Sequence, residues 1–340
     1  MGLFNLTQEV AIDLGTANTI IIHGGKIVVN APSIVALETR DNKLVAVGHK
    51  AQQMMGRTPD TIRTVRPLRD GVIADFNAAE QMIRGMIKMA FASKKSLFTP
   101  QLRMVVCIPS GSTEVEIRAV RDSSEHAGGR DVYMIYEPMA AAIGIGIDVL
   151  APEGNMIVDI GGGSTEIAVI SLGGIVSNKS IRVAGDDLTQ DIMDYMRRQH
   201  NIRVGEPTAE QIKLNVGSAL TLLDNPPEDF IVRGPNQMTA LPMEVPVSYQ
   251  EVAHCIEKSI SKIEAAVLSA LESTPPELYA DIVRNGVYLT GGGAMLRGLD
   301  KRLQDKIGIQ FHVAEDPLLS VAKGTGIALK NIERYPFLIR

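Results

Sequence analysis

A chain of 340 residues is about twice the length of a typical single domain, so two domains are expected. With 45% apolar and 21% charged residues it can bury a large core, and 34 Lys+Arg against 39 Asp+Glu, a net charge of −5, exclude the basic excess of a nucleic-acid binder. No apolar run approaches a membrane span, and two widely spaced cysteines in apolar surroundings, Cys107 and Cys255, read as buried reduced thiols, with no disulfide framework or zinc site.

In chain order, an apolar strand from Val10 to Ile12 leads into Asp13–Thr19 (DLGTANT), and a second strand, Ile20 to Ile22, runs to a hairpin turn at Gly24-Gly25. Ile83, Met86, Ile87 and Phe91 fall on one helical face. A buried-type strand from Val105 to Ile108 ends in Pro109-Ser110-Gly111, with a helix to follow. The opening then repeats. Met156 to Val158 leads into Asp159–Thr165 (DIGGGST), Ile167 to Ile170 follows, and Gly173-Gly174 reads as the next hairpin turn. Pro226 to Pro246, rich in Pro, Asn and Gly, reads as irregular and hairpin structure in an inserted subdomain. Val252, Ile256, Ile260, Ile263 and Val267 share a helical face, and Val287 to Thr290 is a second buried-type strand, ending in Gly291-Gly292-Gly293. Strands alternating with helices specify an α/β fold of two related halves.

Both loops fit D-[LI]-G-x-[AG]-[NS]-T. A glycine after a strand lets backbone N–H groups approach phosphate oxygens, and small neighbours keep the way clear. Gly15, Thr16, Ala17, Asn18 and Thr19 form the first such cradle, and Gly161, Gly162, Gly163, Ser164 and Thr165 the second, with hydroxyls and the Asn18 amide as further donors. Asp13 and Asp159, at the strand ends, are placed to hold Mg²⁺, which takes one or two carboxylates and keeps most of its water. One such loop alone is an ordinary glycine turn; two matched copies facing each other indicate a nucleotide cleft. There is no G-x-x-x-x-G-K-[ST], and no Rossmann fingerprint at the first strand-to-helix turn.

The paired loops, YEPMAAAIG (Tyr136 to Gly144) and LTGGGAML (Leu289 to Leu296) resemble the actin, Hsp70 and sugar-kinase ATPase superfamily. Within it, GRTPDTIRTVRPLRDGVIADF, IRVAGDD, TAEQIK with GSA, TPPELYADI and AEDPL resemble the MreB family of bacterial actins that determine rod shape, from about Leu3 to Leu329. The resemblance implies an actin-like ATPase fold, α/β, with two related domains, each a mixed five-stranded sheet flanked by helices, and two smaller subdomains. It implies subdomain IA at residues 1–31, 74–142 and 315–340, IB at 32–73, IIA at 143–180 and 248–314, and IIB at 181–247. Glu137 matches the family's catalytic glutamate, which positions the attacking water; on residues alone it reads equally well as a helix N-terminal charge ahead of Pro138. Glu210 and Lys213, three apart on a helix, match residues on the ribose and adenine side, where a solvated salt pair is the alternative. Gly291, Gly292, Gly293 and Ala294 would let the adenine and α-phosphate lie against backbone. Ser164 stands where threonine is commoner in the family, and NVGSA replaces an acidic-Ile pair before GSA; neither touches the chemistry.

The resemblance further implies ATP and Mg²⁺ as cofactors, slow ATP hydrolysis coupled to self-assembly into filaments, and a cytoplasmic location at the inner face of the cell membrane beside membrane proteins of cell-wall elongation. Leu97 and Phe98, in the loop Lys94 to Phe98, are the expected lipid contacts, with help from Leu3 and Phe4; a loop Phe capping its own core is the competing reading. A plasmid-segregation or cell-division actin is the alternative within the fold. A sugar kinase would need an acceptor pocket with an acidic base, and no acidic cluster besides Glu137 offers one.

Overall fold

The computed structural model of the protein describes residues 7–92 and 101–340. Its framework is two five-stranded mixed sheets. From edge to edge the first runs Lys26–Pro32, Asn18–His23, Thr7–Leu14, Gln101–Ile108, Gly129–Tyr136, and the second runs Gly174–Ile181, Thr165–Ser171, Asn155–Ile160, Val287–Thr290, Phe311–Val313. In each, an antiparallel meander of three strands is extended by two parallel strands. The strand order is the internal repeat made visible. Strands covered on both faces become near-continuous apolar runs, and every residue of Thr165–Ser171 is accordingly buried.

The first hairpin turns at Gly24-Gly25, with φ of 59° and 77°, the paired left-handed conformation that a two-residue turn between twisted strands favours. The second turns one residue earlier than the glycines suggest. Ser171 pairs with Gly174, so the turn is Leu172-Gly173 (φ 50° and 73°), and Gly174 opens the next strand. The helix Phe76–Ala90 buries Met82, Ile83, Met86 and Ile87, with Phe91 as its C-cap. The stripe from Val252 to Val267 is buried as expected but spans two helices, Tyr249–Cys255 and Glu257–Glu272, which meet at Ile256 (φ −90°, ψ 0°).

Between the sheets, the helix Glu137–Gly144 crosses the helix Ser320–Lys330 with backbones in contact. A Cβ on Gly144 would lie 1.9 Å from the Ser320 carbonyl oxygen, and one on Gly324 only 1.7 Å from that of Ala140. No side chain fits at either position. The crossing pair packs Ala140, Ala141, Ala142 and Val321 into a core that also takes Ile20 and Val105 from the first sheet and Ile157 and Ile170 from the second. The two halves therefore share one buried centre.

Smaller elements sit at the outer edges. On the first half these are the sheet Leu44–Val47, Val35–Glu38, Ile62–Val65 and a short hairpin, Leu68–Arg69 with Val72–Ile73. On the second they are the helices Gly185–Gln199 and Glu206–Val216 and a hairpin of Phe230–Pro235 with Pro242–Val247, which begins within the stretch read as inserted and ends one residue beyond it.

Candidate nucleotide-binding cleft

The two Asp-led loops lie directly against one another. A Cβ on Gly162 would stand 2.8 Å from the Cβ of Ala17, and one on Gly163 would stand 2.7 Å from Thr16 Oγ1. The approach of the opposite loop thus makes both glycines necessary. Gly15 is tight for a local reason, since a Cβ there would lie 2.7 Å from the Asn18 carbonyl oxygen. Asn18 is exposed on the rim.

Not every hydroxyl expected at the phosphates faces the cleft. Thr19 and Thr165 are fully buried. Thr19 Oγ1 bonds Ser33 Oγ at 2.8 Å, and Ser33 in turn donates to the Gly15 carbonyl at 2.6 Å. Thr165 Oγ1 donates to the Val183 carbonyl at 2.7 Å. A strand-end threonine satisfies its buried hydroxyl from below, so these two brace the loops, while Thr16 and Ser164 stand at their upper surface.

A feature that the loop motifs do not reveal fills the space above. Asp70 and Gly71 (φ 52° and 80°) turn the short hairpin Leu68–Ile73. The Gly71 N–H donates to Thr16 Oγ1 at 3.1 Å, and a Cβ on Gly71 would lie 3.0 Å from Ser164 Oγ. This one turn touches both loops. Its signal was present in the sequence, an Asp-Gly pair between two short apolar runs.

Carboxylates dominate the floor. Asp13 Oδ1 accepts from Cys107 Sγ at 3.1 Å, and burial pushes its carboxyl up to about 6. Asp159 Oδ1 accepts from Thr290 Oγ1 at 2.8 Å; burial, with smaller contributions from the charges of Asp13 and Glu166, pushes it up to about 7. Glu137 opens the central helix with Pro138 beside it, and its carboxyl is raised far above the ordinary range by burial first and then by Glu166, Asp159 and Asp13. Glu166 is wholly buried and accepts from the Ser110 N–H (3.1 Å), from Ser110 Oγ, and from Ser180 Oγ (2.7 Å). Asn178 Nδ2 adds a bond to the Ser110 carbonyl at 3.1 Å, so this cluster clasps the first half to the second.

Among the described residues no lysine or arginine opposes the raised carboxyls of Asp13, Glu137 and Asp159, and no three His, Cys, Asp or Glu side chains form a metal cage. Two uncompensated carboxylates beside open backbone N–H groups nevertheless suit Mg²⁺, which fills its remaining positions with water and phosphate oxygens. The donor set fits a magnesium nucleotide.

The helix Gly185–Gln199 starts on the second loop, its Gly185 and Asp186 N–H groups donating to the Gly161 (3.1 Å) and Gly162 (2.8 Å) carbonyls. Lys213 Nζ donates to the Gly185 carbonyl at 2.8 Å and pairs with Glu210 at 2.7 Å, which brings that expected pair within one residue of the loop. Gly291 (φ 79°) and Gly293 pack on the strand end below Asp159, where a Cβ on either would lie 2.3 Å and 2.2 Å from atoms of Ile160. Gly292–Met295 form a short 3₁₀ turn beside the second loop. Across the mouth, Arg66 from the first half pairs with Glu206 from the second, a contact with no counterpart in the motif reading. Leu3, Phe4, Leu97 and Phe98 lie outside the described residues. Among those described, no helix is long and apolar enough to cross a membrane.

Comparison with known proteins gives a consistent picture. The family model described as MreB/Mbl protein matches residues 7–336. The cell shape-determining protein Mbl of Bacillus subtilis is 44% identical over 330 residues, 97% of this chain and 98% of that protein. The cell shape-determining protein MreB of Escherichia coli K12 is 45% identical over 339 residues, 98% and 96% of the two chains. MreB 5 of Spiroplasma citri, solved bound to AMPPNP, superimposes with a TM-score of 0.90 at 38% identity, covering 96% of this chain and 97% of that one. The fold, at 19% identity and a TM-score of 0.78, is also that of MamK in its double helical filament, over 96% of this chain and 99% of that one.

Proposed function

The chain belongs to the MreB/Mbl family of actin-like, cell shape-determining proteins, and from that premise we propose that it is a filament subunit that binds ATP with Mg²⁺ between its halves and hydrolyses it slowly as it assembles. One observation carries the reading: two aspartate-led loops in matching strand positions meet face to face above carboxylates that no described lysine or arginine neutralises.

In this reading the N–H groups of Gly15 to Thr16 and Gly162 to Ser164 orient the β- and γ-phosphates, while the Gly161 N–H closes the second loop on the Ser164 carbonyl at 3.0 Å. Asp13 and Asp159 would hold Mg²⁺, which supplies charge neutralisation to the phosphates. Glu210, Lys213 and the backbone from Gly291 to Ala294 border the ribose and adenine. Glu137 accepts a hydrogen bond from the attacking water and aligns it, the small chemical role that phosphoryl transfer leaves to the protein. Drawing a proton from that water needs the ionised form, which burial among acids disfavours until positive charge enters the cleft.

Gripping one ligand from both sides couples the nucleotide to the angle between the halves, around the shared core at Gly144 and Gly324. We assign residues 1–31, 74–142 and 315–340 to one large subdomain and 143–180 and 248–314 to the other, with 32–73 and 181–247 as the outer pair. A head-to-tail contact between copies does not close and so extends as a filament, and by linkage it strengthens with closure. Leu97 and Phe98, with Leu3 and Phe4, would hold such a filament to the cytoplasmic face of the membrane, beside the membrane proteins of cell-wall elongation. Two inserted side chains, each worth about 1.5–3 kcal/mol, hold one subunit weakly and a polymer firmly.

The test is a dilution series with ATP and Mg²⁺, following phosphate release and light scattering together. Specific activity should rise steeply with protein concentration as scattering appears. Activity independent of concentration, with no scattering, contradicts the filament and favours a phosphotransferase.

A further inference from the structure

Cys107 and Thr290 occupy the same position in the two halves. The parallel ladder of Thr7–Leu14 with Gln101–Ile108 has Ile12 opposite Val106, which sets Asp13 beside Cys107. The ladder of Asn155–Ile160 with Val287–Thr290 has Asp159 opposite Thr290. Each neighbour donates to the Oδ1 oxygen of its aspartate, Cys107 through Sγ at 3.1 Å and Thr290 through Oγ1 at 2.8 Å. Cys107 is 1% exposed and Thr290 not at all, so neither can reach a ligand in the cleft.

We infer that Cys107 and Thr290 are matched positioning residues that orient the two cleft aspartates, with the hydroxyl holding Asp159 more firmly than the thiol holds Asp13. The inference rests on the reading of these aspartates as holders of Mg²⁺. A donor that occupies Oδ1 fixes the carboxyl plane and leaves Oδ2 for the cleft. A hydroxyl is a full hydrogen-bond donor and a thiol a weak one, so the two aspartates are held unequally. The backbone of the second half also makes room for this bond. A Cβ on Gly291 would lie 2.3 Å from the Ile160 carbonyl oxygen and 2.8 Å from Asp159 Oδ1, so the glycine that the strand end demands also keeps the space beside this bond clear. In the first half the corresponding residue is the buried Ile108. Partners that orient ligating carboxylates are worth ~10–100-fold in metal affinity.

The experiment titrates Mg²⁺ against the full-length protein and a fluorescent ATP analogue, with a parallel nucleotide titration in EDTA and a thermal melt without nucleotide. Thr290→Val, which keeps the shape and removes the donor, should raise the Mg²⁺ needed for half-saturation ~10–100-fold, leaving binding in EDTA unchanged; Thr290→Ser should restore it. Cys107→Ala should raise it by less than Thr290→Val does, and Cys107→Ser should leave it at or below the parent value. If Thr290→Val does not fold, Thr290→Cys decides, because it transplants the first half's donor and should need more Mg²⁺ than Thr290→Ser. A Mg²⁺-dependent parent with Thr290→Val unchanged, or Cys107→Ala as costly as Thr290→Val, or Thr290→Cys equal to Thr290→Ser, overturns this inference alone. A parent whose nucleotide binding ignores Mg²⁺ overturns the metal reading and this inference with it.

Discussion

The two halves carry five strands in the same order, but individual side chains at matching positions have diverged. After the loop, the first half continues Thr19-Ile20 and the second Thr165-Glu166, so an apolar residue in one becomes a buried acid in the other. Beside the leading aspartate stands a thiol in the first half and a hydroxyl in the second. At the hairpin the first half has two glycines and the second Leu172-Gly173. Strand order is set by the pattern of apolar residues and turns, which tolerates such changes. Chemistry depends on single side chains and does not. The second half carries most of the specialised polar network, while the first contributes Glu137 through the helix that both halves pack against.

The largest effect is expected at that shared element. Glu137→Gln should slow phosphate release ~10²–10⁴-fold, the usual worth of a positioned acid–base group, while nucleotide affinity stays near the parent value. Single-turnover release on preloaded protein measures it, and a variant as fast as the parent would put the water-aligning role elsewhere.

Acid chemistry then separates the halves. Asp159 is raised from 3.8 to about 7, so the folded, nucleotide-free protein binds its proton more tightly than the unfolded chain does. That contribution to stability is full below pH 4 and is lost as pH rises through about 7. Asp159→Asn should therefore stabilise the empty protein at pH 8, by at most about 4 kcal/mol at about 1.36 kcal/mol per unit, with little change at pH 4. Asp13→Asn should follow the same course with a smaller gain and a lower crossover, near its value of about 6. Denaturant melts across this range read both. A variant whose stability tracks the parent at every pH would show that these carboxyls are not raised in the folded protein. Mg²⁺ affinity should run the other way, weakening as pH falls below about 7 because the metal needs the ionised form.

The clasp at Glu166 should cost less. Ser110→Ala removes the hydroxyl donated to a fully buried carboxylate and leaves the two donors at 2.7 Å and 3.1 Å. A loss of about 1.5–3 kcal/mol is expected, the range for a hydrogen bond to a charged group. Ile20→Val, at the matching position, should cost only about 0.5–1.5 kcal/mol. Equal losses would mean that Glu166 gains nothing from Ser110.

The turns give the smallest contrast. Leu172 is 69% exposed and sits at φ 50°, a conformation that disfavours side chains. Leu172→Gly should stabilise by about 0.5–1 kcal/mol and Gly24→Leu should destabilise by a similar amount. Opposite signs would sink the strain account of the second turn.

These contrasts also explain what the sequence made legible. Strand repeats, loop glycines and helical stripes obey short-range periodicity, so the two related sheets and the positions of the loops between strands are legible in the sequence. The misplaced turn at Leu172 arose because a Gly-Gly pair outweighed strand register, which only pairing across the hairpin fixes. The break at Ile256 was hidden because both helices continue one apolar stripe. Gly144 and Gly324, far apart in sequence, acquire meaning only when two helices cross. Glu166, Cys107 and Thr290 are single residues in apolar strands, and nothing local distinguishes a buried partner from core filling. The threonines at 19 and 165 show the converse: a hydroxyl within a phosphate motif reads as a ligand, while its bond in the structure runs down into the protein.

The central claim is that both halves hold one metal–nucleotide complex, and a double-mutant cycle tests it most directly. Mg²⁺-dependent nucleotide binding would be measured for the parent, Asp13→Ala, Asp159→Ala and the double variant. Two aspartates serving one ion form a coupled pair, so each single change should cripple Mg²⁺-dependent binding, Asp159→Ala more severely, and the double variant should be little worse than Asp159→Ala. Losses that simply add, or a single variant that binds like the parent, would contradict a shared site.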